Sequence, residues 1–345
     1  MRVLVTGGSG FIGTNLIADM LTKQFSVMNV DWNEPLNKAQ RPVWRNCDIM
    51  DHKKLLALFH EFQPEIVVHL AARTDTDIYD LDGDLSEYLQ NTEGTANIIK
   101  CIGQTASVNR VIITSSMFVC EAGYTPTHDT DYKPFTLYGV SKMITEQMTR
   151  ESHMKCTWTI IRPQTIWGPW CERYRDTMLK VMRQGLYFHP SKPNVRRSMG
   201  YVGNVVWQIQ GLLSLPHDQV HERVFYVGDK TVGLLDWVND VSAQLTGKPA
   251  RLLPTFLVKC IARIGDALKL IGIRFPLTST RFNSMTQDYL TPINKTYELL
   301  GDPPFSQHDG IRRFLGWYYS ESFNISRTTK KLRVESSDVP QTQMA

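Results

Sequence analysis

The sequence predicts an α/β fold: a doubly wound parallel sheet carrying a smaller C-terminal lobe. Three observations predict it. Apolar β-rich runs alternate with amphipathic helical patterns through the first half of the chain, runs such as EIVVHLAA and RVIITSS are apolar at both alternating positions, and the first run passes straight into a glycine-rich turn. A strand apolar on both faces is one covered by helices on both sides of its sheet, and strands separated by helix-length crossovers run parallel.

Taken in order, Arg2 to Thr6 reads as the first strand, followed by TGGSGFIG and the helical pattern FIGTNLIADMLTK. Ser26 to Asp31 reads as the second strand, and a third precedes Cys47, Asp48 and Ile49. DHKKLLALFHEF then leads to a strand at Ile66 to Leu70, LSEYLQNTEGTANIIKCI to one at Arg110 to Ser115, and a helix through GVSKMITEQM to one at Thr157 to Arg162. After about Trp170 the chain loosens into Pro-rich and Gly-rich stretches such as YFHPSKPNVRRSMGYVGN and GDPPFSQ, interrupted by a strand pattern at Val224 to Val227. That is the pattern of a smaller lobe threaded back into the main sheet. The predicted division is 1–170 for the core and 171–323 mainly for the lobe, with a segment near 201–230 returning to the core and a polar, flexible tail over 324–345.

The chain has 345 residues, 42% hydrophobic and 21% charged, and a formal charge of +4 without a long basic run, so no nucleic-acid partner is predicted. Six cysteines lack any Cys-x-x-Cys spacing, and MRVLVTGG lacks the apolar stretch of a secretory leader. Reduced thiols, a cytoplasmic location and no structural metal are expected. The most apolar later segment, Thr255 to Ile273, is interrupted by Lys259, Arg263, Asp266 and Lys269 on one helical face, so it does not read as a membrane span. A core-packing or subunit-contact helix is expected there, with peripheral membrane contact as the alternative.

Gly7, Gly10 and Gly13 sit between the first strand and its helix, which Phe11 and Ile12 open. Glycines permit a tight turn and close backbone approach, and the helix start offers unpaired N–H groups to a pyrophosphate. Asp31 follows at the end of the second strand, placed to bind a ribose 2′-OH, with a turn or capping role as the alternative. A carboxylate there repels a 2′-phosphate, and no arginine follows at once in DWNE, so the Rossmann-type site is predicted to take NAD(H) rather than NADP. Asp48, with Ile49, stands within reach of an adenine ring; a plain turn aspartate is the alternative.

RVIITSS ends at Ser115 and Ser116, in the crevice where open α/β sheets bind ligands. Tyr138 and Lys142 in YGVSK fall one turn apart on the same helical face. A free phenol has a pKa of about 10; a neighbouring ammonium and a cationic nicotinamide ring favour the phenolate, which makes Tyr138 a usable acid and base. Ser116 is then placed to hold the substrate oxygen.

GGSGFIG, Asp31, HLAA at 69–72, NTEGTANI, TSS at 114–116, YGVSK at 138–142 and IIRPQTIWGP at 160–169 together resemble an extended short-chain dehydrogenase/reductase of the NAD-dependent epimerase/dehydratase family. The resemblance runs over roughly residues 1–230. It implies that Ser116, Tyr138 and Lys142 are the catalytic set, that His69, Leu70, Ala71 and Ala72 lie along the cofactor, and that Pro163 lies near the nicotinamide. It also implies a nucleotide-sugar substrate whose diphosphate meets Arg197 in RRSMGYVGN, with Arg281 as a second candidate, and a homodimer. A guanidinium forks onto phosphate oxygens in pairs, which suits such a handle. Asn204 stands where the family usually has an aspartate, which leaves the local hydrogen bonding open.

Relatives that remove water from a sugar carry an Asp-Glu pair after the catalytic hydroxyl residue, whereas Met117 and Phe118 here cannot transfer a proton. Cys120 is expected to pack rather than to react. The function that remains is an NAD-dependent nucleotide-sugar epimerase, which oxidises C4, turns the keto sugar over and reduces it again. Alternatives are an NAD(P)H-dependent 4-keto-sugar reductase and a 3β-hydroxysteroid dehydrogenase-like enzyme; a non-catalytic NAD-binding sensor predicts a damaged Tyr-x-x-x-Lys set, and this one is intact.

Overall fold

The computed structural model describes residues 1–74, 81, 83–192, 195–273 and 275–321; the predicted tail over 324–345 lies outside them. Seven strands form one sheet: β1 (Arg2–Thr6), β2 (Ser26–Asp31), β3 (Trp44–Asn46), β4 (Ile66–His69), β5 (Arg110–Thr114), β6 (Thr157–Pro163) and β7 (Arg223–Val227). Their spatial order is β3-β2-β1-β4-β5-β6-β7 and every pairing is parallel. Chain order therefore reverses between β1 and β4, where Val5 lies beside Asn29 on one side and Val68 on the other. Ligands of such sheets bind at the strand ends next to that reversal.

The double apolar alternation has its cause in two helical layers. Leu4, Val67, Val111, Ile113 and Ile160 face one side and pack on Leu55 and Phe59 of α2 (His52–Phe62) and on Ile98 and Ile102 of α3 (Leu89–Gly103). Val3, Val5, Val68, Ile112 and Phe225 face the other and pack on Leu16, Ile17 and Met20 of α1 (Phe11–Thr22) and on Val205 and Ile209 of α5 (Val202–Ser214). Each fully buried aliphatic side chain of this kind contributes about 1.5–3 kcal/mol, so the sheet with its two layers carries most of the hydrophobic stabilisation. Strand β7, expected over Val224 to Val227, spans Arg223–Val227 and pairs with β6.

The helix that carries the Tyr-Lys pair is α4 (Leu137–Glu151), and Thr136 caps it by accepting the Gly139 N–H at 3.0 Å. That cap fixes the first turn, and with it the direction of Tyr138. The predicted helix from Leu85 is interrupted: Asp84 accepts the Ser86 N–H at 2.8 Å and holds a short 3-10 turn over Leu85–Tyr88, after which α3 begins.

The lobe is built from short pieces. Thr165–Trp167 pairs with Met199–Tyr201, Phe188–Pro190 with Arg251–Leu253, and Arg196–Arg197 with Val232–Gly233. Trp167, Trp237 of α6 (Leu234–Thr246), Phe314 and Trp317 form its own apolar core. Helix α7 (Thr255–Leu270) corrects the core-packing expectation: it buries only Val258, Ala262 and Gly265 and packs on Phe282 of α8 (Ser279–Thr286). Its larger apolar residues, Phe256, Leu257, Ile264 and Leu270, are exposed. A helical apolar pattern sets the spacing of a stripe but not what covers it, and here the covered stripe is the one with small residues. Among the described residues no helix is long and apolar enough to cross a membrane.

Candidate active site

One cavity of about 1480 Å³ opens between the carboxyl ends of the strands and the lobe. It is lined by Gly7, Gly10, Phe11, Ile12 and Gly13, by Asp31, Asp48 and Ile49, and by Leu70, Ala71, Ala72 and Pro163. Ser116, Tyr138 and Lys142 line it too, and Arg197 and Arg281 line it from the lobe. Residues as far apart in sequence as Gly7 and Met285 thus share one space.

The glycine turn is tight for a reason of volume. Gly7 has φ +70°, and a Cβ there would stand 2.5 Å from the Ala71 backbone nitrogen; one at Gly13 would stand 2.5 Å from the Gly8 Cα. Only hydrogen side chains let the turn lie against both the end of β4 and the start of α1. Gly10 at the N-cap of α1 offers no side-chain cap, so the first N–H groups of the helix stay available to an anion. This cradle fits a dinucleotide pyrophosphate.

Asp31 does two things at once. Its Oδ2 accepts the Ser9 N–H at 3.0 Å and its Oδ1 the Asn33 N–H at 2.9 Å, so it closes the turn while it lines the cavity. Burial pushes its carboxyl up and these backbone N–H groups pull it back. Asp48 accepts the Met50 N–H at 2.9 Å, which is turn chemistry, while it too faces the cavity.

His69 departs from what the resemblance implied. Its ring is buried, with Nδ1 2.7 Å from Thr6 Oγ1 and Nε2 3.0 Å from Thr95 Oγ1, and it does not line the cavity. Burial, helped by the charge of Lys142, lowers it to about 3 and keeps it neutral. It ties β1 to β4 and α3; the residues of this run that face the cavity are Leu70, Ala71 and Ala72.

At the centre, Tyr138 is buried among Tyr88, Leu137 and Phe118, its ring 6.0 Å from that of Phe118. Burial pushes its phenol up to about 12, opposed by the Ser116 hydroxyl bonded to it. Ser116 Oγ also accepts the Phe118 N–H at 3.1 Å, which holds the hydroxyl at the strand end. Lys142 donates from Nζ to the Thr114 carbonyl at 2.9 Å, and burial lowers it to about 8 while Glu146 pulls it up. Desolvation, rather than the neighbouring ammonium, governs the phenol.

Arg197 lies over the Tyr289 ring, 5.4 Å from its centroid, and the Tyr289 hydroxyl donates to the Met117 carbonyl at 3.1 Å. Arg281 sits in the first turn of α8. Tyr174, which sequence reasoning missed, lies on the same wall: burial pushes its phenol up to about 12, and Arg197 and Arg281 are among the cations that oppose this. Gln164, also missed, lines the cavity with Thr114 and Ser115 of the TSS run, and the Oε1, Oγ1 and Oγ atoms of these three are buried without a hydrogen-bond partner among the described residues. Buried polar atoms are rarely left so, and these three belong to residues of one cavity wall. The signal in sequence was the unbroken TSS at the strand end and the glutamine after RP.

Met117 is buried and Phe118 stacks on Phe135 at 5.3 Å, so no acid or base follows Ser116. Cys120 is buried outside the cavity and burial pushes its thiol up. Asn204 donates to Asp229 Oδ1 at 2.7 Å and to the Phe305 carbonyl at 2.9 Å, and accepts the Phe305 N–H at 3.1 Å. The amide satisfies a buried carboxylate that an aspartate there would repel.

A dinucleotide cradle at the first turn, with a serine, a tyrosine and a lysine converging two strands away, is the arrangement of a short-chain dehydrogenase/reductase. The chain belongs to the NAD dependent epimerase/dehydratase family, whose model matches residues 3–228. It is 26% identical to the N-acetyl-alpha-D-glucosaminyl-diphospho-ditrans,octacis-undecaprenol 4-epimerase of Escherichia coli O157:H7, over 92% of this chain and 95% of that one. It is 27% identical to the UDP-glucose 4-epimerase of Vibrio cholerae, over 90% of this chain and 93% of that one. The UDP-glucose 4-epimerase of Thermotoga maritima, solved with UDP-glucose, shares the fold with a TM-score of 0.72 at 19% identity, over 93% of this chain and 99% of that one.

Proposed function

We propose that the protein is an NAD-dependent nucleotide-sugar 4-epimerase. The carrying observation is that Ser116, Tyr138 and Lys142 share one cavity with the glycine cradle and with Arg197 and Arg281. The supporting relatives are the two 4-epimerases at 26% and 27% identity.

In this reading Gly7, Gly10, Phe11, Ile12 and Gly13 hold the pyrophosphate of NAD, Asp31 its ribose, Asp48 and Ile49 the adenine side, and Leu70, Ala71, Ala72 and Pro163 the rest. NAD, when bound, accepts a hydride from sugar C4 and returns it. Tyr138 takes the proton of the C4 hydroxyl and later gives it back, Ser116 holds that oxygen, and Lys142, tethered to the Thr114 carbonyl, favours the phenolate once the site is filled. Arg197 and Arg281 grip the diphosphate while the keto sugar turns its other face. Residues 1–170 form the dinucleotide core and 171–323 mainly the substrate lobe. A homodimer and a cytoplasmic location belong to the same reading, the latter supported by six unpaired cysteines.

One observation favours a second reading of the substrate's handle. Helix α7 exposes an apolar stripe and packs on α8, which carries Arg281 along the cavity wall. That position suits a polyprenyl diphosphate in place of a nucleoside diphosphate, with peripheral membrane contact by 255–273, and the Escherichia coli relative's name specifies such a substrate.

The test is to incubate the purified protein with UDP-, GDP- and dTDP-sugars, with and without added NAD(H), and to resolve the products. Turnover without added cofactor supports epimerisation; dependence on added NAD(P)H supports the reductase alternative. Wild-type turnover by Tyr138→Phe would sink the mechanism.

A further inference from the structure

We infer that α7, with the residues on either side of it, is a docking face for the surface of a bilayer containing anionic lipid. The inference rests on the second reading of the substrate's handle. Seven of the fourteen exposed large apolar side chains among the described residues fall between 252 and 273, so the exposure is a patch and not the ordinary scatter of a soluble surface. Phe256 is 64% exposed, Ile264 56% and Leu270 89%.

The face is ordered as an interfacial helix is. At about 100° per residue, Phe256, Cys260, Ile264 and Ala267 point away from the buried Val258, Ala262 and Gly265. Lys259 and Arg263, both exposed, run along one edge of that stripe. The single carboxylate of the helix, Asp266, already accepts the Ser279 N–H at 3.1 Å. Apolar side chains at the acyl boundary with lysine and arginine reaching to lipid phosphates is the arrangement that holds a helix in a membrane surface.

Charge selects the bilayer over a second copy of the chain. A two-fold contact through this stripe brings the Lys259 and Arg263 edges of two copies together, with no uncommitted carboxylate on the helix to offset them. An anionic lipid surface offsets both. The position of the helix gives docking a purpose. Val258 and Ala262 of α7 pack on Phe282 of α8, and α8 presents Thr280, Arg281, Ser284 and Met285 to the cavity. A protein lying on this face holds the substrate end of its cavity one helix away from the headgroups, where a membrane-anchored sugar diphosphate reaches Arg281 without leaving its lipid layer.

The experiment is sedimentation of the full chain with phosphatidylcholine vesicles, with and without phosphatidylglycerol. Binding is expected to the anionic vesicles, to weaken with salt, and to fall about fivefold for each cation removed in Lys259→Gln and Arg263→Gln. Phe256→Ser with Ile264→Ser is expected to lose it at least tenfold, with turnover of a soluble sugar diphosphate unchanged. Absence of binding to anionic vesicles by an enzyme active on soluble substrate would overturn the docking face alone. So would an apolar double variant that dissociates a dimer and binds vesicles as before. Docking by a protein inactive on every sugar diphosphate, lipid-linked ones included, would leave this face standing and remove the epimerase reading.

Discussion

Glu146 and Arg162 are joined by two charge-assisted hydrogen bonds, 2.7 Å and 2.8 Å long, with 0% and 1% of their side chains exposed. Arg162 also donates to the Tyr226 hydroxyl at 3.1 Å and the Asp129 carbonyl at 2.6 Å, and Tyr132 donates to Glu146 at 3.0 Å. The pair welds α4 to β6, one turn beyond Lys142. Arg162→Met leaves the buried Glu146 carboxylate with only the Tyr132 hydroxyl and Arg150 at 3.9 Å, and is expected to lower the unfolding free energy in urea by about 3 kcal/mol, whereas Arg162→Met with Glu146→Leu is expected to recover most of that. A single variant as stable as the wild type would show that the pair does not hold the helix.

Burying Lys142 has a stability consequence of calculable sign. Its folded pKa, about 8, is below the unfolded value of about 10.4, so between those values the unfolded chain binds more protons and stability rises with pH. Below pH 8 the full penalty is present. Lys142→Met is therefore expected to stabilise the ligand-free protein at pH 7, by at most about 3 kcal/mol, with the difference shrinking toward pH 10 while turnover is lost. Thermal melts across that range check it; a variant less stable at pH 7 would show that the bond to Thr114 outweighs desolvation.

Asp31→Ala is expected to weaken NAD about tenfold to a hundredfold and NADP little, since the lost contact is a hydrogen bond to a charged group worth about 1.5–3 kcal/mol. Fluorescence titration with both cofactors measures the ratio. Unchanged discrimination would mean that Asp31 serves only the Ser9 and Asn33 turn.

Asn204→Asp places a second carboxylate against Asp229, which burial already raises to about 6. In the wild type the folded state holds the Asp229 proton more tightly than the unfolded chain, so stability falls as pH rises from about 4 to 6. The variant is expected to extend that fall above pH 7, because two adjacent carboxylates cannot both ionise. Melts at pH 5 and pH 8 should diverge more for the variant; equal divergence would show that Asp229 is not the partner that matters.

The parts of this molecule written in the sequence are those where one physical demand repeats along the chain. RVIITSS and EIVVHLAA show burial on both faces because helices cover both faces, and the glycines show a turn that has no room for Cβ. The lobe was less legible because strands of two or three residues, such as Arg196–Arg197, have no periodicity to read. His69 was misplaced because its partners, Thr6 and Thr95, are distant in sequence and nothing in HLAA announces them. Helix α7 shows the converse limit, since its spacing was read correctly and its covered side was not.

The order in which the sheet is assembled bears on the protein's birth. Strand β6 is bounded on one side by β5 and on the other only by β7, which leaves the ribosome roughly sixty residues later, a delay of several seconds at ordinary translation rates. Through that interval the row of N–H and C=O groups on Thr157–Pro163 is an open edge of a nascent sheet, the kind of template that recruits stray strands. The lobe segment that later closes over the cavity is also what postpones the closing of the edge, so chaperone dependence during synthesis, rather than stability of the finished fold, is where variants in residues 164–222 should first be felt.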